Sequence, residues 1–208
     1  MGRLDRGLLG GYTGRLGTTV GATWKGIDVI RTYQPNVANP RTDRQVEHRS
    51  RFSAWTKLAS SLLVPIVKPL WDRNAKRMSG YNAFIRANMD NTGKLDLIVP
   101  ERFILSQGKM GVVDFKFAPD TLPDEIELIW DTEESPVFSS ADDKLFAVVF
   151  VGDQVVAITS GNYAREEGGA LFKLPQGVTS GTFTIVAAFQ SADGRIQSNS
   201  SSIEIFRT

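Results

Sequence analysis

The last hundred residues constrain the fold most. Between 110 and 208, short runs rich in Val, Ile, Phe and Thr recur, separated by Gly152-Asp153, Pro175-Gln176-Gly177 and Ala192-Asp193-Gly194. Gly and Asp tolerate positive φ and Pro presets φ, so such clusters reverse a chain at low strain. The spacing predicts strands over 112–117, 125–131, 145–151, 154–159, 171–174, 181–190 and 195–206, with two shorter ones at 95–99 and 103–106. "GTFTIVAAFQ" (181–190) and "SSIEIF" (201–206) alternate apolar and polar residues, as antiparallel strands with one buried face do. About seven short strands with frequent turns predict an Ig-like antiparallel β-sandwich of immunoglobulin or fibronectin type over 110–208.

The first half reads differently. Residues 1–13 carry Gly and Arg with little periodicity and are expected to form a flexible arm. In "GRLGTTVGATWKGIDVIRTY" (14–33), Thr18, Val20, Ala22 and Trp24 share one face of an extended chain, and Ile27, Val29 and Arg31 follow Lys25-Gly26. That pattern predicts a β-hairpin around a Lys-Gly turn. "QPNVANPR" (34–41) is loop punctuation. Thr42-Asp43-Arg44-Gln45 has the form of a capping box, and Val46, Phe52, Trp55, Ala59 and Leu62 recur behind it at helical spacing. Pro65 and Pro69 are expected to kink or end that helix. Tyr81, Phe84, Ile85 and Met89 mark a second helix over 79–89, stopped at "DNTG" (90–93). The expected fold class is therefore α+β: an arm (1–13), a basic hairpin and helical module (14–109), then an acidic sandwich (110–208).

Charge divides along the same line. Residues 1–100 hold 16 Lys+Arg against 7 Asp+Glu, a net of +9, and residues 101–208 hold 8 against 16, a net of −8. An asymmetry of this size, hidden in an overall charge of +1, suits segments facing different surroundings or the electrostatic docking of one on another. The longest apolar stretch, Leu62–Val67 with its proline, is far shorter than the roughly 20 residues a membrane helix needs. The N-terminus shows no signal-peptide pattern, so the expected location is cytoplasmic.

The search for chemistry excludes more than it finds. Without cysteine there are no disulfides, thiolate nucleophiles or Cys-ligated metals. Gly21-Ala-Thr-Trp-Lys-Gly26 is followed by Ile27, so the Gly-x-x-x-x-Gly-Lys-Ser/Thr of a phosphate loop is not met. His48, the single histidine, sits in the first helix beside no nucleophile motif. Asp90–Glu101 has a length suggestive of a calcium loop, but Lys94 stands where a ligand is required. The carboxylates at 124–134, 142–143 and 166–167 fall in turns or at strand ends. No catalytic residue, cofactor or metal ligand is expected.

What remains is a basic region with aromatics. Ten cations fall within the first 57 residues, among them Arg41 and Lys57, with Trp24, Tyr33 and Trp55 interleaved. Arg3, Arg6, Arg15, Trp24, Lys25, Arg31, Arg44, Arg49 and Arg51 are the candidate contact residues. They suit an acidic protein surface or, alternatively, the phosphates and bases of a nucleic acid. The first reading is a non-catalytic assembly or interaction protein with protein partners or self-association. A third reading is carbohydrate binding through sandwich loops with Trp130 and Tyr163.

Several segments occur together in an order that resembles a known family. They are Gly14-Arg-Leu-Gly-Thr-Thr-Val-Gly21, Trp24-Lys25-Gly26, Ile30-Arg31, Pro40–Gln45, Arg49-x-x-Phe52, Ser79-Gly-Tyr-Asn-Ala-Phe84 and "ILSQGKM" (104–110). The arrangement is similar to that of an uncharacterised bacterial family of about this length, known as a domain of unknown function. Leu16 replaces a common Val, and "RTYQP" is slightly stretched. The resemblance covers most of the first half, and the second half by architecture. It implies no activity, cofactor or catalytic residue. Small proteins of this kind also sit among phage genes, so it implies incorporation in a virion as an alternative setting.

Overall fold

The structure is a computed structural model that describes residues 3–4, 11–36, 39, 41–92, 98–118, 122, 124–133 and 136–207, without the side chains of 3, 4 and 90–92. The chain divides into two compact units, 1–46 and 47–208. The break lies within the first helix rather than at 109/110, because the helices pack on the later sheets.

The first unit is an antiparallel sheet of order β1-β2-β3-β4, made of β1 (Arg3–Leu4), β2 (Tyr12–Leu16), β3 (Thr19–Trp24) and β4 (Ile27–Thr32). The expected hairpin is present, with Trp24 paired to Ile27. Lys25 (φ 48°) and Gly26 (φ 78°) both adopt positive φ, as a type I′ turn requires. Part of the expected arm is ordered into the sheet: Leu4 pairs with Tyr12 and Arg3 with Thr13. Arg6 lies outside the described residues. Gly21 is buried beneath Tyr12, where a Cβ would come within 2.1 Å of the Tyr12 carbonyl oxygen.

Helix α1 (Asp43–Ser61) begins where the capping pattern places it. Its core stripe is shorter than expected: Trp55, Leu58, Ala59 and Leu62 are buried, whereas Val46 and Phe52 are exposed. The core meets only the last two turns of the helix. The prolines do not break the chain path. Leu63–Val67 widens into a π-helical turn that leads into α2 (Lys68–Trp71), with the Val67 amide reaching back to the Leu62 carbonyl. Helix α3 (Gly80–Thr92) follows. Phe84 and Ile85 are fully buried, and Tyr81 and Met89 border the same core. The 93–97 segment, which holds the glycine of "DNTG", Lys94 and most of one expected strand, lies outside the described residues.

Residues 103–106 are not a strand, although Phe103 and Leu105 alternate into the core. Side chains serve its backbone instead. Asn88 donates to the Ile104 carbonyl (2.9 Å) and accepts from the Ile104 amide (2.8 Å), and the Trp71 indole donates to the Leu105 carbonyl (2.8 Å).

Seven strands complete the second unit: β5 (Phe115–Phe117), β6 (Glu125–Trp130), β7 (Lys144–Val151), β8 (Gln154–Ala164), β9 (Gly169–Lys173), β10 (Gly181–Gln190) and β11 (Ser201–Arg207). They form a four-stranded sheet, β11-β10-β7-β8, and a three-stranded sheet, β5-β6-β9, both antiparallel. The α+β class therefore holds. The alternation expected of β10 does not. β7 and β10 are buried on both faces, because successive side chains point to opposite sides. Leu145, Ala147, Val149, Phe183, Ile185 and Phe189 share a core with Ile126, Leu128 and Phe172 of the three-stranded sheet. Phe146, Val148, Phe150, Val186 and Ala188 pack instead with the helices. Three layers result: helices, four strands, three strands.

Candidate functional site

The N-terminal sheet gathers several of the candidate contact residues. Directly opposed residues share a face, and Arg15, Val20 and Arg31 lie in one line across β2, β3 and β4. Ala22 opposite Val29, and Trp24 opposite Ile27, continue that face. Trp24 is 47% exposed and Val29 50%. Arg15 stacks on the Tyr33 ring at 3.7 Å and donates to the Gly17 carbonyl, and the Lys25 ammonium sits 5.5 Å from the Trp24 ring centre. The one acid in these strands, Asp28, is on the other face and accepts from Thr23 at 2.5 Å. β4 is an edge strand exposed at all six residues. Such an edge presents unpaired backbone groups to any incoming strand.

The remaining candidates are dispersed. Arg44 lies in the first turn of α1, and Arg49 and Arg51 follow it along the same helix. β1 includes Arg3. Trp55 is unavailable for stacking on a ligand, being buried against Phe103 with ring centres 6.1 Å apart. Trp130, the aromatic of the carbohydrate reading, is also core: its indole donates to the Arg165 carbonyl (2.7 Å) and packs edge-on to Phe189. Tyr163 donates to the Leu171 carbonyl.

The second unit holds a cleft that the sequence did not disclose. One lobe, about 590 Å³, lies between the end of α2, the 74–78 segment, α3 and residue 104. A second, about 490 Å³, extends to Lys109, Phe138 and Arg195 and shares Asn74, Gln107 and Gln197 with the first. The walls are built from interactions distant in sequence. Gln197 donates to the carbonyls of Leu70 (2.8 Å) and Gln107 (2.9 Å). Gly108 approaches residue 197 so closely that a Cβ would fall 1.8 Å from the Gln197 carbonyl oxygen. At the entry to α3, Ser79 accepts from the Asn82 amide, and Asp72 accepts from the Gly80 amide where a Cβ would clash. The "SGYNAF" and "ILSQGKM" segments thus serve the same cleft.

The lining is of one charge sign. Lys76 and Arg86 border the first lobe, Lys109 and Arg195 the second, and among the described residues no carboxylate lines either. Asp193, the acid beside the rim, pairs with Arg195 at 3.2 Å. The Ser191 hydroxyl, with the Arg195 amide, holds its carboxyl below the ordinary value. No group of His, Asp or Glu suited to a metal occurs among the described residues, and no described helix is long and apolar enough to cross a membrane.

These features define an α+β protein with an exposed apolar-basic sheet and a separate cationic cleft. The sequence model of a family of unknown function (DUF6266) matches residues 11–204, and the chain belongs to that family. The match takes in the β-rich half as well as the segments of the first. Comparisons with curated proteins and with solved structures gave no significant match.

Proposed function

We propose that the chain is a non-catalytic interaction protein whose N-terminal sheet receives an acidic polypeptide along the open edge of β4. The observation that carries this reading is the exposed Ala22, Trp24, Ile27, Val29 stripe, continued by the half-buried Val20 and flanked by Arg15 and Arg31. An apolar stripe on an unpaired edge is an aggregation hazard when left bare. Strand addition pairs the edge and sets alternate side chains of the incoming strand beside Ile27, Val29 and Arg31, with main-chain hydrogen bonds supplying affinity and those side chains specificity. The cations, with Asp28 turned to the opposite face, favour an acidic partner. Apolar neighbours around Trp24 favour protein over nucleic acid, whose bases need stacking platforms rather than aliphatic surface. The relation of the two β-sheets, seven strands sharing one core, supports the Ig-like sandwich reading of the second unit, an architecture that hosts many adhesive modules; that analogy is associational.

A photo-crosslinking residue placed at Val29 in cells tests the proposal. The expected result is one acidic protein crosslinked at 29, absent from a control probe in the Gly152-Asp153 turn, and lost on Trp24→Ser. Recovery of nucleic acid at 29, or identical products at both probes, overturns it.

A further inference from the structure

We propose that the cleft in the second unit is a binding site for a small organic anion that carries an apolar body. Charge is the first argument. Among the described residues the lining holds four cations and no carboxylate, and two of the four, Lys109 and Arg195, come from the half of the chain whose net charge is −8. Lys76 and Arg86 flank one lobe, and Lys109 and Arg195 the other. Clefts of one sign focus potential and concentrate counter-ions. Arg195 is partly neutralised by Asp193 at 3.2 Å, so Lys76 and Lys109 are the cations on which the attraction is tested.

Shape and surface give the second argument. Each lobe falls within the 300–1,000 Å³ of ordinary ligand sites. The first lobe is floored by Trp71, Met78, Ala87 and Ile104. The Trp71 indole N–H is committed to Leu105, so what that side chain offers the cleft is apolar ring. Gln197 spends its amide hydrogens on Leu70 and Gln107 and acts as a wall. An anionic head at the cations with an apolar body on this floor matches both chemistries, whereas a bare inorganic ion leaves the floor wet.

Backbone strain is the third. Lys25, Arg77 and Phe138 are the non-glycine residues with positive φ among those described. Lys25 is explained by its hairpin turn. Arg77 (φ 58°) lies between the lining residues Lys76 and Met78, and Phe138 (φ 62°) lines the second lobe. Left-handed conformations at bulky residues persist only where surrounding structure enforces them, and they concentrate at ligand sites. Phe138 is the third residue of the Pro136–Ser139 turn, in which the Ser139 amide donates to the Pro136 carbonyl, so its φ has a turn explanation like that of Lys25, and Arg77 carries this argument.

The test titrates 1-anilinonaphthalene-8-sulfonate into the full chain and follows its fluorescence. Phenyl phosphate and inorganic phosphate serve as competitors. The proposal expects a saturable component displaced by phenyl phosphate but not by equal inorganic phosphate. Its affinity falls about tenfold in Lys76→Gln/Lys109→Gln, falls similarly when Asn74→Trp fills the junction of the lobes, and is unchanged in Val29→Glu. The last variant separates the cleft from the N-terminal sheet, so the outcome is independent of the sheet's proposed role. Loss in Val29→Glu with retention in both cleft variants overturns the proposal. So does the absence of a component that phenyl phosphate displaces. Equal displacement by inorganic phosphate overturns the apolar body. Each variant's thermal midpoint is measured alongside, and where one cleft variant unfolds the other decides.

Discussion

Asp143 and Arg165 are both buried, and their side chains meet at 3.1 Å. The Arg165 guanidinium lies over the Phe189 ring at 4.1 Å and donates to the Met110 sulfur, while the same Asp143 oxygen accepts the Ser140 amide. Taking two charges out of water costs several kcal/mol per ion, so the pair stabilises the fold only as a pair. Asp143→Ala leaves a guanidinium in the core without its counter-charge, and the expected loss is about 3–5 kcal/mol by urea unfolding. Asp143→Leu/Arg165→Met removes both charges and is expected to lie closer to the parent than either single change. A double variant less stable than both singles would contradict that account.

At the scale of elements, the prolines explain how the helical layer is fastened to the sheet. Pro69 has no N–H for the Pro65 carbonyl four residues earlier, and Ser160 of β8 donates to that carbonyl at 2.6 Å. Gln190, ending β10, donates to the Pro69 carbonyl at 2.8 Å, and Gln197 does the same for Leu70. A deficit of helical hydrogen bonds thereby becomes a set of cross-links between layers. The expected order of destabilisation is Gln197→Ala, then Gln190→Ala, then Ser160→Ala. Gln197 is buried and serves two carbonyls, so its loss is about 2–4 kcal/mol, while the exposed Ser160 bond is worth about 1 kcal/mol or less. Chemical denaturation of the three variants checks the order, and a reversal would remove the cross-link explanation.

The same scale shows what the sequence could disclose. The Lys25-Gly26 hairpin was legible because two adjacent residues set its turn and its register. The starts of α1 and α3 were legible for similar local reasons. The role of β10 was misread because Thr182 and Thr184 supplied an alternation that its location between two apolar layers overrides. Residues 103–106 looked like a strand because their side chains alternate, yet their partners are Asn88 and Trp71, which no local pattern announces. The cleft escaped for a stronger version of this reason: its cations stand at 76, 86, 109 and 195, and only the tertiary fold gathers them. Among the candidate contact residues, β-pairing assembled Arg15, Trp24 and Arg31 because their alternation was already correct.

For the whole molecule, the division at Val46/Glu47 has a thermodynamic consequence. The second unit holds both apolar cores, built from residues of α1 onward, whereas β2, β3 and β4 of the first unit bury only Gly21 fully. A four-stranded sheet with so little buried apolar surface has small stability of its own, since burial is the dominant favourable term in folding. Its amides are therefore expected to open at low free energy and those of β7 and β10 near the global value. Hydrogen exchange read by mass spectrometry should show β3 and β4 exchanging at least about a hundredfold faster than β7 and β10, a gap of roughly 2.7 kcal/mol. An acidic partner seated on β4 raises the protection of the first unit and leaves that of the second unchanged, because mass action stabilises only what the ligand contacts. The chain shortened to 43–208 is expected to keep the urea midpoint of the second unit and its cooperativity. Loss of cooperative unfolding on that deletion would mean that the sheet is part of the second unit's stability, and its exposed stripe would then need another explanation.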